Sequence, residues 1–335
     1  MSTFHRVARE RFGRRGGGVS LLLITAVALA GCNQAYQTGP LANVEKAKEL
    51  RLAIAGEPGE EEIVTKLNAT GLATIKGRIV LRPGDAIPAR PPLKIGKDLA
   101  VCAAPGVDTK SQRLIINEKS RGIKNVLVFL RDADKIGWEG DVPAPPEAGP
   151  VAEDAANEKL FDQKQCEFLD HVFPVRLGNS VKIANSDPVG HNTNIRANKG
   201  TSFDQTIPSG KFVSYQPTAA EAMPIAVSCA IHPWMSAWML PRDNGYFAVT
   251  DENGNFEIDN VPTGVPLQFQ VWHEAAAASQ GRLDADVPEV GWSAKTKGRM
   301  ILGKDQLKNN ETLIIKNAGE GDEATIQVPV SAFKT

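Results

Sequence analysis

The chain has 335 residues, a net charge of −1 and 42% hydrophobic content, enough for buried cores in roughly two domains and with no basic excess to favour nucleic acid. Its 4 Cys, 5 His and 5 Met are few, so a cluster of them carries information. No Gly-x-Ser-x-Gly, His-Glu-x-x-His or phosphate-binding loop occurs, which sets aside the common hydrolase, metalloprotease and nucleotide-dependent classes.

The first residues hold Arg6, Arg9, Arg11, Arg14 and Arg15 against Glu10, followed by the apolar run LLLITAVALAGC, which ends at Cys32. That order of basic, apolar and small-residue regions predicts a secretory signal over residues 1–31. The apolar part is too short for a bilayer that needs about 20 residues. Leu29, Ala30, Gly31 and Cys32 resemble a bacterial lipobox, which implies that Cys32 is lipidated and anchors the exported chain to a membrane, facing the periplasm or the cell surface. Arg14 and Arg15 lack the continuation expected of a twin-arginine signal. Outside the cytoplasm thiols are paired or ligated, and Cys102, Cys166 and Cys229 cannot all pair with one another.

Residues 32–72 read as a tether with one helix around Val44 to Ile54, broken by Gly56, Pro58 and Gly59; the acidic run Glu60 to Glu62 reads as solvated. From Ala73 the pattern alternates, with Ile75, Gly77, Ile79 and Leu81 on one side of a strand. Residues 124–130, 171–177, 180–185 and 223–229 are further short β-rich runs, and the Pro-, Ala- and Glu-rich stretch 140–159 reads as an exposed insertion. Past Tyr246 a second β unit follows, in which Asn253-Gly254 between alternating runs predicts a hairpin. ETLIIK and ATIQVPVS supply the last strands. The expected fold is all-β: a Greek-key sandwich over 73–243, then a small sandwich over 244–335.

The stretch CAIHPWM places Cys229, His232 and Met235 three residues apart. Two imidazoles, a thiolate and a weak axial thioether describe a type 1, electron-transfer copper centre, and a tight loop could aim three of those four inward. NSDPVGHN supplies the second imidazole, His191, at a β turn after a predicted strand.

These two motifs resemble those of the small blue copper proteins, the cupredoxins, especially amicyanin and plastocyanin. The resemblance covers roughly residues 160–240. It implies one type 1 copper held by His191, Cys229, His232 and Met235, and a backbone N–H of Asn192 directed at the Cys229 sulfur. It also implies that His232 is exposed and forms an electron port with Pro233 and Trp234, serving a redox partner such as a cytochrome or dehydrogenase. Val227 departs from the family, which often carries an aromatic there. With Cys229 assigned to the metal, Cys102 and Cys166 are left to form a disulfide; pairing Cys229 with either would abolish the site. The second unit, through DENGNFEIDNVPTG and VWHE, resembles the carboxypeptidase regulatory-like module, a prealbumin-like sandwich also found inside rhamnogalacturonan lyases. Such modules are usually non-catalytic, and this one is a candidate for glycan contact.

A buried Cys and Met often serve only as packing, and His171 and His273, each beside apolar neighbours, read as structural histidines. Met223 and Met239 read as packing too. With two histidines left over in the mature chain, multicopper catalysis is not expected: the chain reads as an electron carrier, not an enzyme. Two other classes stay open: copper storage or delivery with the same ligands, and a two-sandwich surface lipoprotein that binds glycan or protein.

Overall fold

The computed structural model describes residues 66–140, 143–149, 151, 158–317 and 325–334. The expected signal, Cys32, the helix around 44–54, the run at 60–62 and part of the insertion at 140–159 lie outside these residues. Among the described residues no helix is long and apolar enough to cross a membrane.

Strands dominate, and they form two sandwiches. The first has a five-stranded sheet in the order Phe203–Ile207, His191–Ile195, Ile225–Ser228, Ser236–Arg242, Val172–Arg176. Facing it is a four-stranded sheet in the order Phe212–Tyr215, Ser180–Asn185, Glu158–Lys164, Glu167–Phe168. Phe161, Val181 and Ile183 from one sheet meet Ile195, Val227, Ala237 and Met239 from the other in a common core. The strand Glu158–Lys164 begins inside the stretch read as an insertion; its EKLFDQK pattern is polar, yet Phe161 and Gln163 turn inward beside the parallel strand Ser180–Asn185.

The second sandwich pairs the sheet Phe247–Val249, Leu127–Leu130, Leu267–Trp272, Arg299–Leu302 with the sheet Asn255–Thr263, Gly71–Leu81, Thr312–Ile315. Ile326–Val328 adds to the same Gly71–Leu81 strand. In that strand Ala73, Ile75, Ile79 and Leu81 are buried, following the alternation in the sequence. This architecture corrects the expected division at 243/244. Gly71–Leu81 and Leu127–Leu130, assigned to the first unit, pair only with strands from the second, because their apolar faces complete its core. The strand also opens at Gly71, inside the stretch read as tether.

The turn at Asn253-Gly254 is present, with Gly254 at φ 81° and its N–H bonded to the Asp251 carbonyl at 3.0 Å. It does not make a hairpin. Phe247–Val249 pairs with Leu127–Leu130 in one sheet and Asn255–Thr263 with Gly71–Leu81 in the other, so the turn arches between layers. The Gly254 carbonyl instead accepts the N–H of Ile79 at 2.8 Å. There is no room for a side chain at Gly254: a Cβ would stand 2.0 Å from the Ile79 oxygen.

Leu127–Leu130 is buried on both faces. Val128 and Leu130 face the second sandwich's core, while Leu127 and Phe129 join Val172, Leu240 and Trp272 in a smaller core that fastens the two sandwiches together. Arg242 crosses the same junction. Its guanidinium donates to the carbonyls of Glu221 at 3.0 Å, Leu130 at 2.9 Å and Arg131 at 2.7 Å. Beside it His171 bonds Glu274, whose other oxygen accepts the indole N–H of Trp238 at 2.9 Å. Burial depresses His273 to about 4, against the opposing charge of Glu274.

Arg242→Met should destabilise the chain by roughly 3 kcal/mol in urea unfolding, because buried carbonyls lose their donor. The unfolded chain binds a proton at His273 near its ordinary value while the folded chain resists it down to about 4. The His273 contribution is therefore full above about pH 6.5 and should fall as pH drops from there toward 4, by up to roughly 3 kcal/mol. Urea midpoints at pH 7 and pH 5 check this, and His273→Gln should flatten the difference.

Candidate metal centre

The loop Cys229–Met235 joins the antiparallel strands Ile225–Ser228 and Ser236–Arg242, whose last paired residues are Ser228 and Ser236. It is closed by its own backbone: Cys229 N–H donates to the Met235 carbonyl at 3.3 Å, and Met235 N–H to the His232 carbonyl at 2.9 Å. His191 opens the neighbouring strand His191–Ile195, which pairs with Ile225–Ser228. The two loops therefore sit side by side at one end of one sheet.

Asn185 shapes the loop that leads to His191. Its amide donates to the carbonyls of Val189 at 2.8 Å and Ile207 at 2.9 Å, and its oxygen accepts the N–H of Asp187 at 3.0 Å. Asn192 latches this loop to the next. Its N–H points at the Cys229 sulfur at 3.3 Å, its side-chain oxygen accepts the Ala230 N–H at 3.1 Å, and its amide donates to Asp204 at 2.9 Å.

At the centre, Nδ1 of His191 and Nδ1 of His232 stand 2.8 Å apart, and the Cys229 sulfur lies 4.0 Å from the latter. Ligand atoms of His191, Cys229 and His232 all fall within 4.8 Å of one another, and all three residues are buried. Cys229 is the free cysteine among the described residues; Cys102 and Cys166 form a disulfide. Met235 is buried in the same core cluster as Cys229.

Each imidazole is held from behind by a carboxylate. Nε2 of His191 bonds Asp187 at 2.7 Å and Nε2 of His232 bonds Asp98 at 2.8 Å, which leaves both Nδ1 atoms directed inward. Burial alone would lower the His191 pKa, but the hydrogen bond to Asp187 and the Cys229 sulfur beside it push it up to about 9. Burial likewise works against the thiolate, yet His191 and the N–H groups of Asn192, His232 and Ile231 hold Cys229 below the usual thiol range. His232 is held down by its burial and by the charge on His191, with Asp98 opposing. Both Nδ1 atoms and the Cys229 sulfur thus converge on one buried point, the place a cation would take. Nitrogen, nitrogen and sulfur donors of this kind, with a buried thioether nearby, fit a soft or borderline transition metal.

Asp187 and Asp98 were not singled out in the sequence. Asp187 had a signal, since it lies four residues before His191 within NSDPVGHN. Its carboxylate also accepts the N–H groups of Gln165 at 2.6 Å and Cys166 at 2.8 Å, both in the left-handed region at φ 56°. Asp98 had none, being 134 positions from its histidine. The expected electron port needs correction: His232 is 0% exposed because Asp98 covers its outer edge, while Pro233 is exposed and Trp234 partly so. His171 and His273 are buried with Glu274 at the junction of the sandwiches.

No family model matches the chain, and no curated protein matches it. Among solved structures, a reduced Cu(I) amicyanin variant is similar over 28% of this chain and 91% of its own, at 19% identity and a TM-score of 0.24. Another reduced amicyanin variant matches over 29% and 95%, again at 19% identity and 0.24. The Cu-containing nitrite reductase of Thermus scotoductus matches over 31% of this chain and 28% of its own, at 20% identity and 0.25.

Asp187→Ala should lower stability by roughly 3 kcal/mol, since buried N–H donors at a left-handed turn and the His191 ring lose their acceptor together. Urea unfolding of the metal-free protein checks it; a loss under about 0.5 kcal/mol, the size of an ordinary surface change, would contradict it.

Proposed function

We propose that the chain is an extracytoplasmic type 1 copper protein that passes single electrons, anchored to a membrane through Cys32. The observation that carries this reading is the convergence of His191, Cys229 and His232, with two backbone N–H groups on the sulfur. Copper held by these three residues, with the Met235 thioether as a further donor, would supply reversible one-electron exchange. The residues do the rest. The N–H groups of Asn192 and His232 stabilise charge on the thiolate, and the carboxylates fix both rings. Burial of all three donors keeps water out. The partner would be an electron donor or acceptor protein such as a cytochrome or dehydrogenase.

With His232 covered, the port passes to Trp234. Its partly exposed indole stands 5.1 Å from the His232 ring, centroid to centroid, next to exposed Pro233. The same covering favours a second reading, copper storage or delivery, in which a shielded ligand slows loss of the ion. The second sandwich, by its sequence resemblance to carboxypeptidase regulatory-like modules, is read as a non-catalytic accessory unit. Its surface hollow of about 580 Å³ sets Arg82, Asp284 and Lys295 beside small apolar residues such as Ala277, Ala285 and Pro329, a mixed lining that could take a small ligand.

Protein expressed into the periplasm should bind one copper and absorb intensely in the visible when oxidised, and Cys229→Ser should abolish the colour. A copper-loaded but colourless wild-type protein would overturn the electron-transfer reading and leave storage. Electron exchange with a cytochrome at a defined potential separates the two readings further.

A further inference from the structure

Asp98 stands at the start of the short helix Leu99–Cys102, where an aspartate ordinarily turns its carboxylate back to cap the first turn. Here it makes no such cap. The N–H groups of Val101 and Cys102 bond the Asp98 backbone carbonyl, both at 2.9 Å, and the carboxylate goes out to Nε2 of His232 at 2.8 Å. The residue does this from a left-handed conformation, φ 49°, which aspartate tolerates better than most non-glycine residues.

The disulfide lies beside this segment. Cys102 closes the helix that Asp98 opens, and its partner Cys166 lies in the turn held by Asp187. The sulfurs of Cys102 and Cys166 come within 4.8 Å of a His232 ring nitrogen, so the crosslink packs directly on the outside of the centre. Ile95, Val101 and Cys102 join the first sandwich's core, which seats the strap on that sandwich. One covalent link thus ties the helix that Asp98 opens to the turn that Asp187 holds.

We propose that Asp98 is a positioning residue for His232, that the strap fastened by Cys102–Cys166 holds it there, and that together they close this edge of the centre to metal exchange. The inference rests on the copper reading above. A carboxylate behind a ligating imidazole fixes its tautomer and raises its basicity, and losing such a group costs about 10- to 100-fold in metal affinity. Asp98 serves that purpose from a distant part of the chain.

Wild type, Asp98→Asn and Asp98→Ala are loaded with Cu(I) and mixed with a chromophoric Cu(I) chelator, and the reduction potential of each is measured. Asp98→Ala should release copper about 10- to 100-fold faster and show a higher potential, with Asp98→Asn between it and wild type. Equal release rates and potentials in all three overturn the proposal. A wild type that binds no copper counts against the copper reading instead, and one that binds copper but stays colourless when oxidised counts against the electron-transfer reading. The strap is tested on the metal-free protein by carbethoxylation of His232, mapped by mass spectrometry, with buried His273 as the internal control for unfolding. His232 should react faster in Asp98→Ala and in wild type after dithiothreitol reduction, while His273 stays protected. Protection of His232 that survives reduction of the disulfide overturns the strap.

Discussion

Two imidazoles that meet nitrogen to nitrogen in a dry interior must each be gripped from the far side. His191 and His232 are fully buried with their Nδ1 atoms 2.8 Å apart, at hydrogen-bond distance, so ring orientation decides the contact. What permits it is the pair of carboxylates behind the rings. Asp187 and Asp98 orient each ring, and against burial the Asp187 hydrogen bond and the Cys229 sulfur push the His191 pKa up to about 9. The scaffold can be understood as the means of supplying those two carboxylates. Asp187 comes from the loop that precedes His191 and also holds the turn at Gln165 and Cys166. Asp98 arrives from a segment that belongs to neither sheet of the first sandwich and is pinned by a crosslink spanning 64 positions, a constraint of about 4 kcal/mol on the unfolded chain.

The centre is also coupled mechanically to the second sandwich. The strand Ser236–Arg242 leaves the Cys229–Met235 loop, carries Trp238 and Leu240 into the junction, and ends at Arg242, which binds carbonyls at the end of Leu127–Leu130. Trp238 stacks edge-on against Trp272 at 5.1 Å and donates to Glu274. One strand therefore runs from the metal loop to the junction of the sandwiches, where Trp238 and Arg242 make their hydrogen bonds. The unpaired-looking histidines His171 and His273 belong to that junction.

Much of the fold was legible from pattern alone. Alternation in Gly71–Leu81 and the apolar run at Leu127–Leu130 marked strands because each has a face, or both, in a core. Glu158–Lys164 was missed because its sequence is mostly polar and its burial comes from a parallel partner that no local pattern reveals. The Asn253-Gly254 turn was read correctly as a turn and wrongly as a hairpin: a turn's dihedral needs are local, whereas the sheet each flank joins is not. The division at 243/244 failed for the same reason, since strand order along the chain does not state which sheet a strand completes.

By itself the sequence determined the chemistry available at the centre. CAIHPWM and NSDPVGHN are short loops whose side chains are placed by nearby backbone, so Cys229, His232 and His191 could be named from spacing and donor type. Only the tertiary structure decided that His232 is enclosed, that Asp98 encloses it, and that Gly71–Leu81 shares a sheet with Asn255–Thr263 and Thr312–Ile315. Those outcomes depend on contacts between residues more than a hundred positions apart. Such contacts form because apolar surface and buried polar groups must find partners anywhere in the chain, and no local periodicity records which ones they find.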